Sequence, residues 1–344
     1  MRQIGPSLDL QPHPVTVVSG PVGWKEKTRR RIFLRTGYAG RFLKDSDAHR
    51  AEIIHAHFAI DACAILPLAK RLRMPLVVTL HGYDVSRNEK GFHELPTTRA
   101  YLRRKEELWK YASLFFSVSE HVRQRAIERG FPPEKLWVHR IGTRKDGSTV
   151  QNHPRDLPIV LFVGRLVEKK GCIHLLRAIP QVFEKIPDAQ LVVIGDGPLR
   201  GALEREAKPW DGRVTFLGQQ SHSEVKQWMG RARVLAAPSV RAIDGDEEGL
   251  PTVLCEAQSL GLPVVAFAVP GVIEALSEER RGDMPCERDE SGLSEEIINL
   301  LENNDRWLRV SKSGRQYVNS HFDLEQQTRI LEDKYDEVIA KHRA

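Results

Sequence analysis

Short apolar runs alternate with amphipathic stretches twice along this chain, and that alternation limits its fold more than any other feature. In the first half, residues 15–18, 53–57, 76–80 and 114–118 read as strands, and 60–72, 98–111 and 120–129 as helices. A polar, aperiodic stretch at 143–158 follows, with glycine, asparagine and two prolines. The pattern then resumes with strands at 159–163, 190–194, 214–217, 234–237 and 264–267, and turns wholly helical beyond Leu293. Runs such as Leu76-Val77-Val78-Thr79-Leu80 offer apolar side chains to both faces, as a strand covered on both sides requires, and helical connections imply parallel pairing. The expected fold class is therefore α/β, with two doubly wound domains. The first spans 1–148, the linker 149–158 and the second 159–320, and 321–344 forms a closing helix.

With 344 residues, 41% of them hydrophobic, the chain can bury two separate cores. Charge divides along the same boundary. Residues 1–150 hold 27 lysines and arginines against 15 acids, and the remainder holds 25 against 31. A basic first half is expected to meet something anionic, either nucleic acid or an anionic membrane surface. The basic stretches at 25–44 and 99–105 also read as plain solvated helix faces. Cys63, Cys172, Cys255 and Cys286 are too scattered for a disulfide framework or a zinc site, which suits a reduced, cytoplasmic setting. His55 and His57 share one strand face, but no third ligand follows at a telling distance. The start of the chain lacks a signal peptide's apolar core, and no apolar run reaches membrane-spanning length.

In open parallel sheets, ligands bind beyond the carboxyl ends of strands, where loops lead into helices. Three such loops of the second half carry suggestive residues. Gly164-Arg165 and Lys170-Gly171 place two cations after one strand, where they could converge on a diphosphate. Gly195-Asp196-Gly197-Pro198 follows the next. The segment from Glu248 to Glu256 then sets two carboxylates around a helix start, with Pro251 expected at the first helical position. Glu248 falls in the loop and Glu256 inside the helix, beside Val253 and Leu260. The amides of Thr252 and Val253 would face outward, where an anion is favoured. The run Asp244, Asp246, Glu247, Glu248 would, taken alone, be an ordinary solvated loop.

Five motifs in register, at Gly164-Arg165 with Lys170-Gly171, at 194–198, at 214–218, at 248–256 and at 261–266, resemble those of family-4 retaining glycosyltransferases. Together with His57-Phe58 and His81-Gly82-Tyr83-Asp84, they are most similar to bacterial enzymes that build exopolysaccharide of the colanic-acid type. The resemblance implies a GT-B fold, in which two Rossmann-like domains face a cleft and a C-terminal helix crosses back to the first domain. It implies that Arg165 and Lys170, with Thr252 and Val253, contact the donor diphosphate, and that Glu248, Gly249, Leu250 and Glu256 hold the donor sugar and ribose. His81 and Glu248 take the catalytic positions. Gly164, Gly195, Asp196, Gly197, Gly218 and Gln219 form the nucleotide loops.

The co-substrate implied is a nucleotide-diphosphate sugar, UDP-linked by preference or GDP-linked, and the acceptor a glycan or lipid-linked glycan. Neither a metal nor nucleic acid is expected. Attack by the acceptor on the face the diphosphate leaves would retain configuration without a covalent intermediate. The chain departs from the family at its start, where 15–18 matches the second strand of the pattern and the first strand and Gly-rich loop are not evident. It departs again beyond Gly271, where the closing strand and its Thr-Gly turn are missing. The alternative is a non-catalytic glycosyltransferase-like subunit that binds nucleotide-sugar or a partner.

Overall fold

The structure, a computed structural model, describes residues 51–88, 92, 96–144 and 157–344. The strand expected at 15–18, the basic segment 25–44, the family's first strand and Gly-rich loop, and most of the linker lie outside these residues. Two all-parallel sheets form the frame. The first runs β1 (Ile54–His57), β2 (Leu76–Leu80), β3 (Leu114–Ser117) and β4 (Leu136–Val138), in that order across the sheet. Its crossovers are α1 (Ala59–Leu72), the short α2 (Tyr83–Ser86) with α3 (Pro96–Tyr111), and α4 (Glu120–Glu128). All five residues of β2 are buried, as the apolar run required. Strand β4 was not foreseen. Its three residues are too few to show a period, and Trp137 and Val138 are only half-buried.

The second sheet has the order β7-β6-β5-β8-β9, from β5 (Ile159–Val163), β6 (Gln190–Ile194), β7 (Val214–Gly218), β8 (Val234–Ala237) and β9 (Val264–Ala266). The chain builds outward from β5 on one side, through α5 (Cys172–Lys185) and α6 (Arg200–Ala207), and then returns through α7 (His222–Arg231) to place β8 on the other. The chain therefore leaves β5 and β8 toward opposite edges of the sheet, which makes their junction the switch point where such sheets bind ligands. Beyond β8 come α8 (Thr252–Ser259), the short turns α9 (Pro270–Ile273) and α10 (Glu278–Arg281), then α11 (Glu290–Glu302) and α12 (Asn304–His321). Where the family's closing strand was sought, the chain forms the short α10, an irregular stretch at 282–289 and then α11, with no strand among these described residues.

The final helix, α13 (Leu324–Arg343), returns to the first sheet. Thr143 donates its amide to Phe322 and accepts from Leu324, at 2.7 and 3.0 Å, which fixes where the chain turns back. Val338 then packs on Val77 and Phe116, flanked by Leu331 and Tyr335. We expect Val338→Asp to cost about 2–3 kcal/mol in denaturant unfolding of the first domain, through lost burial and an unpaired buried charge. A cost below about 0.5 kcal/mol would show the helix is not needed there. Among the described residues, no helix is long and apolar enough to cross a membrane.

Candidate active site

Three loops of the second sheet stack on one another because glycines let their backbones touch. A Cβ on Gly195, whose φ is +137°, would lie 1.9 Å from the carbonyl oxygen of Gly164, and one on Gly197 would lie 2.5 Å from that of Leu166. Gly164 donates its amide to Ile194, Leu166 to Asp196 and Gly195 to Gly218, at 3.0, 2.9 and 2.8 Å. Gly164, Gly195, Gly197 and Gly218 are thereby brought together, with Gln219 exposed beside them. Asp196 faces solvent, accepting from the Gly197 amide at 2.7 Å and pairing with Arg200 at 3.2 Å.

Lys170 ends a 3-10 turn (Glu168–Lys170), and Gly171 then presses against the loop after β8, where a Cβ would come within 1.7 Å of the Pro238 carbonyl oxygen. This approach carries the Lys170 ammonium to 2.7 Å from Glu248 Oε1, with side chains 21% and 8% exposed. Ser239 Oγ lies 3.4 Å from the same oxygen. Arg165, in contrast, is exposed and has no side-chain partner among the described residues. Pro251 is not the first helical residue, as expected, but the N-cap. Its ψ of 101° is extended, and the helix starts one residue later at Thr252. No side chain caps that helix start. Glu256 sits inside the helix, and burial pushes its carboxyl up against the lowering pull of His222 and the Thr252 hydroxyl.

Across from these loops, the carboxyl ends of β1 and β2 hold three stacked histidines. The register pairs His57 with Thr79, so His57 stands beside His81 just past the end of β2. The rings of His55 and His57 lie 4.6 Å apart and those of His57 and His81 5.2 Å apart, and His57 Nδ1 is 2.9 Å from His81 Nε2. The contact needs one proton between the two nitrogens, which neutral rings supply. Burial lowers all three. His81 falls to about 4 through burial and His57, and His55 to about 3 through burial and the neighbouring His57, His139 and His81. Burial also lowers His57.

Asp84 straps the cluster, accepting from the amides of Ala59 at 2.8 Å and His81 at 3.0 Å. Burial nevertheless pushes its carboxyl up to about 7. Phe58 takes a strained φ of +69° and packs its ring 4.6 Å from that of His81. His57 and Asp84 stand in the motifs that carry the resemblance, His57-Phe58 and His81-Gly82-Tyr83-Asp84, but the sequence alone assigns neither a role.

This cluster makes a signed prediction about pH. The unfolded histidines bind protons below their ordinary pKa near 6.5, whereas the folded ones refuse them until pH is far lower, so stability is lost as pH falls. Asp84 and Glu256, raised in the fold, oppose the trend, but the lowered imidazoles, His139 included, outnumber them. The thermal midpoint should fall between about pH 7 and about pH 5, less steeply in His55→Gln. Equal slopes for the variant and the parent protein would refute neutral, buried histidines.

The two sides meet directly. Ser119 Oγ donates to the Gly249 carbonyl at 2.7 Å, and a Cβ on Gly249 would lie 2.3 Å from the His81 carbonyl oxygen. Glu274 accepts from the amides of Glu120 and His121, at 2.8 and 2.6 Å. His81, Gly249 and the Lys170–Glu248 pair therefore share one junction.

Two parallel doubly wound domains that meet at the carboxyl ends of their strands, with a helix crossing back, define a GT-B glycosyltransferase. Comparisons with known proteins agree. The family described as Glycosyltransferase Family 4 matches residues 3–142, and that described as Glycosyl transferases group 1 matches 157–303. WcaL of Escherichia coli, named for colanic acid biosynthesis, is 29% identical over 80% of this chain and 68% of its own. A GDP-mannose-dependent phosphatidylinositol monomannoside mannosyltransferase of Corynebacterium glutamicum is 29% identical over 73% of this chain and 67% of its own. In structure, Anabaena HepE, solved with UDP and glucose, superposes with a TM-score of 0.70 at 21% identity, covering 84% of this chain and 79% of HepE. Each half of the chain thus carries a glycosyltransferase domain, Glycosyltransferase Family 4 in the first and group 1 in the second. The match from residue 3 includes the opening stretch that departs from the family's motifs.

Proposed function

We propose that this glycosyltransferase moves a hexosyl unit from a nucleotide-diphosphate sugar to a hydroxyl of a glycan or lipid-linked glycan in surface polysaccharide biosynthesis, with retention of configuration. The observation that carries the reading is the Lys170–Glu248 pair, 2.7 Å long with its carboxylate buried, at the switch point of the second sheet and at the junction with His81. Arg165, Lys170 and the uncapped start of α8 at Thr252 and Val253 bind the diphosphate, where charge grows as the sugar leaves. Glu256 takes the ribose hydroxyls. Glu248, with the Gly249 and Leu250 backbone, takes those of the sugar.

His81 reaches the sugar through Nδ1, since His57 holds its Nε2. In the transfer, the bond from the anomeric carbon to the β-phosphate oxygen breaks and one to the acceptor oxygen forms on the same face. The acceptor's proton passes to the departing phosphate, and a nucleoside diphosphate is released. Some relatives are named GDP-mannose-dependent and HepE was solved with UDP, so both donor classes belong in the assay. The chain's own cations carry the leaving-group charge, and a chelator should leave turnover unchanged.

Donor hydrolysis and transfer across a panel of UDP- and GDP-sugars, with Glu248→Ala and Lys170→Ala as controls, test the assignment. Equal turnover by the parent protein and both variants would refute it, and an inverted product anomer would refute retention. The basic first half fits an anionic membrane surface carrying the acceptor, which liposome flotation with and without anionic lipid would check.

A further inference from the structure

The acidic run before α8 is no solvated loop, and its carboxylates are shared between the two domains in a definite pattern. Asp246 pairs with Lys169 at 3.0 Å and Glu248 with Lys170 at 2.7 Å, both within the second domain. Asp244 pairs instead with Arg87, and Glu247 Oε1 lies 3.1 Å from His121 Nε2 and 3.3 Å from Arg125 Nε, all in the first domain. The partners alternate, 246 and 248 facing the second domain and 247 the first, the pattern that side chains on an extended chain follow. Gly245, with φ +83°, makes the turn that frees Asp244 from that alternation.

Backbone contacts reinforce the division. Asn88 donates its amide to the Asp244 carbonyl at 2.8 Å, while Val240 donates to Lys169 at 2.9 Å. Glu247 is 13% exposed and turned away from the donor loops, so it has no place in contacting substrate. It is nevertheless bonded through a single peptide to Glu248. His121 in turn has its amide fixed by Glu274 at 2.6 Å, which gives the clamp a rigid base.

Resting on the reading of Glu248 as the donor-sugar ligand, we propose that Glu247 is a positioning residue. Held by His121 and Arg125, it sets the approach of Glu248 to the sugar, and so makes productive donor geometry depend on docking of the first domain. Arg165 and Glu256, which bind diphosphate and ribose, do not touch this clamp, and Lys170 meets it only through Glu248.

The test uses the full chain as Glu247→Ala, Glu247→Gln, Arg125→Ala and the Arg125→Ala/Glu247→Ala double variant. For each, kcat and donor KM are measured in transfer, and the Kd of UDP and GDP by calorimetry. In Glu247→Ala, kcat should fall at least about 10-fold and up to about 100-fold, the range for a misplaced reacting group. Glu247→Gln should lose less, UDP or GDP should bind within about two-fold of the parent value, and the double variant should be no worse than Glu247→Ala.

Three results would overturn the proposal: a smaller loss of kcat, losses that multiply in the double variant, or nucleotide affinity falling in step with kcat. If Glu247→Ala fails to fold, the isosteric Glu247→Gln with Arg125→Ala decides by the same criteria. A parent protein that binds neither UDP nor GDP overturns the donor-site reading and this inference together. Binding with undiminished kcat in the Glu247 variants overturns this inference alone.

Discussion

Replacing Lys170 by alanine is expected to stop transfer and weaken the fold at once. The two effects separate because the lysine has two tasks. Toward the donor, it is a cation aimed at a diphosphate whose charge grows in the transition state, and removing one such donor costs about 10²- to 10³-fold in kcat. Toward the protein, it neutralises Glu248, whose side chain is 8% exposed. Leaving that carboxylate buried and unpaired should cost roughly 2–3 kcal/mol, at or below the usual figure because Lys170 itself keeps about a fifth of its side chain in water. Neutralising both partners separates the tasks. Lys170→Met with Glu248→Gln should regain most of the lost stability in denaturant unfolding, while transfer stays at the floor set by the single variants. Recovery of transfer in the double variant would show that the pair is structural and that the diphosphate is held elsewhere.

The sequence made the strands legible where burial is symmetric. Ile159–Val163 and Leu76–Leu80 are filled on both faces, so their ends coincide with the ends of the apolar runs. The glycines at 195 and 197 have a reason that sequence alone does not show, since a Cβ on either would strike a carbonyl oxygen of the loop after β5, whereas Gly164 meets only the Lys170 side chain at ordinary contact distance. What escaped was tertiary pairing. Nothing local to His57 announces that it shares a proton with His81, 24 residues on. The contact follows from a sheet register, and one residue of slip would turn His57 to the other face.

The acidic run taken alone is the same case, since its partners are distant in sequence. Four carboxylates in five residues look solvated when their partners stand at 87, 121, 125, 169 and 170. Pro251 was misplaced by one residue because its fixed φ serves an N-cap as well as a first helical position, and only ψ distinguishes them. Recognition of the family rested on the second domain's loops, and the new features lie where the first domain touches them.

Gly249→Ala should lower transfer about 10²-fold with little loss of stability, an unusual result for a glycine packed this tightly. The added methyl would meet the His81 carbonyl oxygen at 2.3 Å and Val122 Cγ2 at 3.1 Å, and both belong to the opposite domain. A clash inside one domain must be absorbed by strain. A clash between domains can instead be relieved by their parting, at the cost of the Ser119–Gly249 bond and the adjacent ion pairs. Gly195→Ala is the contrast, since its methyl would meet Gly164 O at 1.9 Å within the same domain and at φ +137°. It should lose at least about 2 kcal/mol. For Gly249→Ala, we expect a thermal midpoint within about 2 °C of the parent, broader small-angle scattering and transfer lowered by about 10²-fold. UDP and GDP affinity should persist, because the Lys170, Arg165 and Glu256 side is untouched. Transfer within about two-fold of the parent, despite broadened scattering, would mean that the His81 junction can open without consequence. His81 would then have no part in holding the donor sugar.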